Sequence, residues 1–252
     1  MQPKPGGLPY PLYCVAHRGG SQIHTENTLA AFRESLALGV DAIELDVFNV
    51  GGELLVTHDR RLGNTLPGSG RLLDQRPDVL RSLVLADGSS IATLEEVLEL
   101  VNDRALLNIE LKGPDCAAPV AHLLEAYSRE RQLSLEQYLV SSFDHRQLLQ
   151  FRQLLPGVKR GVLLEGIPLD LAACSDALGA WSLHPSLNFV NAELVTAAKR
   201  QGLQVWVYTV NEADDWQLMC ELGVDGVFTD FPGRLLEWNR HCQAAHRPPT
   251  TG

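Results

Sequence analysis

From position 12 onward this chain alternates short apolar, β-branched runs with stretches of helical period, and it completes that cycle eight times before its C-terminal tail. Such a rhythm restricts the chain to α/β architectures, because parallel strands need crossover connections and helices supply them. Strands are predicted at 12–16, 41–47, 105–111, 138–142, 159–164, 180–183, 204–209 and 226–229. Helices are predicted at 28–38, 94–101, 119–131, 146–154, 192–200 and 213–222, with weaker signals at 169–177 and 233–239. Gly39, Gly202 and Gly223 each follow a periodic stretch, where a left-handed C-cap belongs.

Eight alternations in about 230 residues predict a closed (β/α)8 TIM barrel. An open, doubly wound parallel sheet is the second choice, since no G-x-G-x-x-G follows the first strand. The cycle is broken once. After a second extended run at 53–57, the stretch 60–92 carries Gly63, Pro67, Gly68, Gly70, Pro77 and Gly88 and is too long for an ordinary strand-to-helix loop. A small insertion after strand two, at about 59–92, is expected to sit over one end of the barrel. The 252 residues, 45% of them hydrophobic, are enough for one such domain spanning 1–252.

A formal net charge of −10 argues against nucleic acid or an anionic membrane held by a general basic surface, so an anionic ligand must find local positive charge. Cys14, Cys116, Cys174, Cys220 and Cys242 lie far apart without metal-binding spacing and read as reduced, mostly buried thiols. The N-terminal segment lacks the apolar stretch of a secretory signal, and no apolar run reaches the ~18 residues of a membrane span. The expectation is a cytoplasmic protein without stable membrane insertion, monomeric or homodimeric.

Barrel enzymes work at the C-terminal ends of their strands. Here His17 and Arg18 end strand one, Glu44 and Asp46 lie on strand two, and His58 follows the extended run after it. Strand three carries Glu110 and Lys112, strand seven Trp206 and Tyr208 ahead of Thr209 and Asn211, and strand eight ends in Thr229 and Asp230. Side chains two apart on a strand share a face, so Glu44 pairs with Asp46, and Glu110 with Lys112. Three carboxylates converging without thiolates make an oxygen-rich site for one hard divalent cation, Mg²⁺ or Ca²⁺, with Mn²⁺ also admissible. Without a cation, their repulsion would raise at least one pKa. His24, His122, His145, His241 and His246 read as loop or helix-surface residues, and His184 as either a pocket residue or a loop contact.

These residues fall in an ordered set of motifs. H-R-G-G at 17–20 is followed by E-N-T-L-A-A-F at 26–32, G-V-D-A-I-E-L-D-V at 39–47 and T-H-D at 57–59. T-L-E-E-V-L, N-I-E-L-K, S-S-F-D, Y-T-V-N and G-V-D-G-V-F-T-D follow in order to Asp230. The set resembles the glycerophosphodiester phosphodiesterase family, most nearly its small cytoplasmic bacterial type, over almost the whole chain. The resemblance implies metal-dependent hydrolysis of deacylated phospholipid diesters, such as glycerophosphocholine or glycerophosphoethanolamine, to sn-glycerol 3-phosphate and an alcohol. It implies Glu44, Asp46 and Glu110 as metal ligands and His17 and His58 as acid and base, without saying which is which. Arg18, Lys112 and Trp206 are the expected contacts to phosphate and substrate. The family usually has Trp directly before T-V-N, where this chain has Tyr208. It further implies a metal bridging a phosphate oxygen and a glycerol hydroxyl, which would permit internal attack; direct attack by water is the alternative.

The chemistry asks for the same inventory. A phosphodiester anion repels nucleophiles, so its cleavage needs charge neutralisation, a base for the attacking oxygen and an acid for the leaving alkoxide. Lysophospholipase D and sphingomyelinase D type enzymes are the nearest rivals, but they should carry an exposed apolar surface at the mouth, and the insertion offers only the short piece 83–86. A non-catalytic binding barrel should lack a catalytic histidine or carboxylate, and none is missing. An enolising barrel enzyme would want a lysine base in place of paired histidines.

Overall fold

The computed structural model describes residues 11–22 and 24–245. Segment 1–10 and His246 lie outside the described residues. Its strands are β1 (Tyr13–Ala16), β2 (Ala42–Val50), β3 (Glu53–Val56), β4 (Ala92–Thr93), β5 (Leu106–Leu111), β6 (Tyr138–Ser142), β7 (Lys159–Leu164), β8 (Ser182–Pro185), β9 (Gln204–Val207) and β10 (Gly226–Thr229). The helices are α1 (Leu29–Leu38), α2 (Pro77–Arg81), α3 (Leu94–Val101), α4 (Ala117–Arg131), α5 (His145–Leu154), α6 (Leu171–Leu178), α7 (Ala192–Arg200), α8 (Ala213–Leu222) and α9 (Pro232–Ala245).

All strands but β3 and β4 pair in parallel, in the order β1, β2, β5, β6, β7, β8, β9, β10, and β10 returns to β1 through Tyr13↔Gly226 to Ala16↔Thr229. The sheet therefore closes into the (β/α)8 barrel, with no free edge among these eight strands. Helix ends are fixed by local chemistry. Thr28 accepts from the Ala31 amide at the start of α1, and Gly39 ends that helix at φ 75°. Thr93 and Glu96 form a reciprocal capping box at the start of α3. α4 begins two residues before its predicted start, and Pro119 is tolerated in the first turn because an amide there has no helical acceptor.

Two boundaries differ from expectation for a physical reason. The sixth barrel strand is Ser182–Pro185 and not 180–183, because Gly179 at φ 55° caps α6 and the chain must still turn before it can pair. β2 runs on to Val50, beyond the barrel, where 47–50 pair antiparallel with β3, and β3 pairs in turn with β4. That side ribbon carries the insertion. Leu66, Leu72, Leu80, Leu85 and Ile91 from the insertion bury against Phe48, Val50 and Leu55, giving it a small core separate from that of the barrel. Arg81 makes a bidentate pair with Glu96 at 2.8 and 2.9 Å, tying α2 to the start of α3.

The lower barrel is plugged by aromatic rings. Trp206 stacks on Tyr13 with centroids 5.0 Å apart and on His184 at 5.5 Å, with Trp181 edge-on at 5.4 Å. Gly161 makes room for His184, since a Cβ there would lie 2.4 Å from the imidazole. His184 is fully buried and bonded to Ser182 Oγ, so it belongs to this plug and not to a loop. No helix among the described residues is long and apolar enough to cross a membrane.

Candidate active site

At the C-terminal ends of the strands the barrel opens into a cavity of about 310 Å³, lined by His17, Arg18, Glu44, His58, Glu110 and Lys112. Asn108, Ser141, Phe143, Glu165 and Tyr208 are among the residues of its floor and walls. Asp46 lies at the same level, opposite Glu110 in the parallel register of β2 and β5.

The carboxylates come together because alternation puts Glu44 and Asp46 on one face of β2 and the register brings Glu110 beside them. One oxygen from each lies within 4.8 Å of the others, and all three side chains are buried. Burial, then the charges of Asp46 and Glu110, pushes the Glu44 carboxyl well above its ordinary range. Burial, then the Asp46 charge, raises Glu110 to about 7. Asp46 moves the other way. Burial would raise it, but Lys112 and Arg18 hold it down, and Asn27 donates to it at 2.9 Å. Lys112 Nζ stands 3.3 Å from Asp46 Oδ1 and 2.9 Å from Glu110 Oε1.

Three buried carboxylates facing one another, two of them driven toward protonation, form a site whose electrostatics call for a cation. The all-oxygen donor set suits a hard divalent ion and not zinc in a thiolate cage.

The H-R-G-G turn positions the adjoining cations. Arg18 is left-handed at φ 52°, which aims its backbone amide at Glu44 Oε2, 2.8 Å away. Its guanidinium donates to both oxygens of Glu26 and stands 3.5 Å from Asp46. Gly19 and Gly20 follow at φ 83° and 77°, and a Cβ on either would fall within 3 Å of Phe32 or Pro232. Loop residue Asn27 donates its amide to Arg18 O and brackets the Asp46 backbone and side chain.

The two histidines are held differently. His17 Nδ1 lies 2.8 Å from Asp230 Oδ1, and the other Asp230 oxygen accepts from Asn211 at 2.8 Å. Burial would raise the Asp230 carboxyl, but the bond to His17 holds it below the ordinary range. An ionised Asp230 favours the tautomer with the proton on Nδ1, which leaves Nε2 as the ring's acceptor. His58 Nδ1 stands farther from its neighbour Asp59, at 3.4 Å. Burial lowers the His58 pKa; Asp46 opposes that, while Lys112 and Arg18 reinforce it.

His17, His58, Arg18, Lys112, Glu44, Asp46 and Glu110 thus gather around one pocket. Trp206 does not, which corrects the expectation of a substrate contact there. It is 2% exposed and lies in the aromatic plug, level with Gly226 at the start of β10. Two residues on, Tyr208 reaches the pocket, where its hydroxyl donates to Leu164 O and its ring meets Phe143 edge-on. Glu26, Asn27, Asn211 and Asp230 also serve the site, beyond the roles expected from the sequence. Their signals were the motifs E-N-T, V-N and T-D, which carry no helical or strand period.

Known proteins match this chain over nearly its full length. The model of the glycerophosphoryl diester phosphodiesterase family matches residues 17–234. The chain is 33% identical over 236 residues to a glycerophosphodiester phosphodiesterase of Caldanaerobacter subterraneus subsp. tengcongensis, covering 88% of this chain and 95% of that one. It is 35% identical over 239 residues to one of Bacillus altitudinis, covering 88% and 96%. Among solved structures it resembles an Oleispira antarctica phosphodiesterase in complex with its product sn-glycerol-3-phosphate, with a TM-score of 0.80, 27% identity and coverage of 91% and 96%.

Proposed function

This chain belongs to the glycerophosphoryl diester phosphodiesterase family, and on that premise we propose how its residues divide the hydrolysis of a glycerophosphodiester to sn-glycerol 3-phosphate and an alcohol. The observation that carries the reading is the convergence on one pocket of three buried carboxylates, two histidines and two cations. Each answers a separate demand of cleaving an anionic diester.

Glu44, Asp46 and Glu110 would hold one divalent cation, Mg²⁺ or Ca²⁺ by their oxygen donors, with Mn²⁺ admissible. When bound, it supplies Lewis acidity and charge neutralisation at the phosphate. Lys112 and Arg18 add fixed positive charge beside it, each already oriented by carboxylates. His17 takes the proton of the attacking oxygen at Nε2. Its bond to Asp230 fixes the tautomer and stabilises the imidazolium that forms. His58 gives a proton to the departing alkoxide. Its burial favours the neutral ring when the site is empty, and the anionic diester beside it restores the proton it must donate. Phe143 and Tyr208, packed edge-on, give one wall of the pocket an aromatic surface. Glycerophosphocholine and glycerophosphoethanolamine are the expected substrates. A reducing, cytoplasmic setting suits the free thiols of Cys14 and Cys116, both buried.

A coupled assay of sn-glycerol 3-phosphate release from glycerophosphocholine, with and without EDTA, tests this reading. Release that stops on chelation and returns with Mg²⁺ or Ca²⁺ supports it. Faster choline release from lysophosphatidylcholine than from glycerophosphocholine would overturn the substrate assignment.

A further inference from the structure

A second cleft, of about 590 Å³, opens beside the reaction pocket and shares His58 and Lys112 with it. Its outer wall is the insertion, which contributes Arg60, Arg61 and Arg71. In a chain with ten more acidic than basic residues, the cleft gathers three arginines and a lysine against one carboxylate. Arg60 and Arg61 are exposed and form no ion pair among the described residues, and Arg71 reaches Asp74 only at 3.9 Å. Arg61 and Arg71 face each other across an antiparallel bridge, an arrangement that costs stability for like charges unless an anion lies between them. The lone carboxylate of the cleft, Asp59, is already engaged by Asn64, the Thr65 amide and His58.

We propose that this cleft is a second anion subsite, which binds a further phosphate carried on the alcohol half of the diester. The inference rests on the reading of the neighbouring pocket as a glycerophosphodiester site. His58 links the two: the alcohol leaves from its side, so a substituent on that alcohol extends into the cleft. The volume suits a phosphorylated polyol, and arginine presents paired donors matched to phosphate oxygens. The same charges add a long-range attraction that salt screens.

Glycerophosphoinositol and glycerophosphoinositol 4-phosphate differ by one phosphate and form the test pair. The expected result is a kcat/KM about tenfold or more higher for the 4-phosphate at low salt, with the advantage shrinking as salt is added. R60Q/R61Q/R71Q should bring the ratio to about one, and R60E/R61E should take it below one. Both variants should cleave glycerophosphocholine as the wild type does, which separates loss of the subsite from misfolding. Equal rates on the two inositol diesters in the wild type, or a ratio that survives the triple substitution, would overturn the proposal. So would sedimentation of the wild type with phosphatidylglycerol vesicles, lost in the triple variant, if the two diesters were cleaved equally. Failure to cleave any of the three diesters would instead refute the reading of the reaction pocket.

Discussion

His17 Nδ1 and Asp230 Oδ1 stand 2.8 Å apart although 213 residues separate them in sequence. The contact exists because β1 and β10 are the first and last barrel strands and pair in register, Ala16 beside Thr229. Closing the barrel therefore assembles a histidine–carboxylate dyad from the two ends of the chain.

Asp230→Asn keeps the shape but offers no charge to an imidazolium and permits the wrong tautomer. The expected result is a fall in kcat of roughly 10²-fold or more. KM and melting temperature should stay nearly unchanged. Full kcat in this variant would remove Asp230 from the mechanism and reduce the dyad to a structural contact.

The three buried carboxylates oppose one another until a cation joins them. Chelation should lower the melting temperature, and a divalent ion at about 1,000 times its Kd should restore about 4 kcal/mol of stability. Glu44→Gln removes a buried carboxyl that, without a cation, must either repel Asp46 and Glu110 or take up a proton, while keeping an acceptor for the Arg18 amide. That variant should melt higher than the wild type in EDTA and gain less from added ion, as titration calorimetry alongside thermal melts can establish. A lower melting temperature in EDTA would contradict the repulsion.

His184 sits in the barrel plug with its pKa pushed down to about 3 by burial. Between that value and the unfolded value near 6.5, the unfolded chain binds a proton that the folded chain does not. Stability therefore rises with pH in this window and is lost on acidification. His184→Gln should flatten the dependence by up to about 1.4 kcal/mol per pH unit, measured by urea unfolding at pH 5 and 6.5. An unchanged slope would show that His184 takes up its proton in the folded state.

Trp206 and Tyr208 differ by two positions and should behave oppositely. Trp206→Phe removes buried stacking area and should cost about 1–3 kcal/mol with KM unmoved. Tyr208→Ala should raise KM with a smaller loss of stability. Steady-state kinetics with parallel denaturation separate the two, and a KM effect confined to Trp206 would reverse the placement.

That pair also shows how far the sequence could be read. Eight buried strands announce themselves by continuous apolar runs, and the alternation on β2 and β5 is enough to aim Glu44, Asp46, Glu110 and Lys112 inward. Depth is another matter. Inward-facing residues two apart differ in height by roughly 7 Å, and only the register of β9 on β10, with Trp206 beside Gly226, reveals that Trp206 lies below the pocket. Asp230 was visible as a strand-end carboxylate but not as the partner of His17, because barrel closure and not local pattern joins them. Glu26 and Asn27 sit in a loop whose only cue is its motif. The arginines of the insertion follow no period, and only the bridge between Arg61 and Arg71 sets them face to face.

The division of labour between His17 as base and His58 as acid is the central claim, and leaving-group substitution tests it most directly. A diester of sn-glycerol 3-phosphate with p-nitrophenol needs no proton on its leaving oxygen, whereas glycerophosphocholine does. On glycerophosphocholine, His17→Ala and His58→Ala should each lose about 10²- to 10⁴-fold in kcat. On the nitrophenyl diester His58→Ala should recover most of that loss and His17→Ala should not. Recovery in His17→Ala instead, or in neither variant, would contradict the assignment.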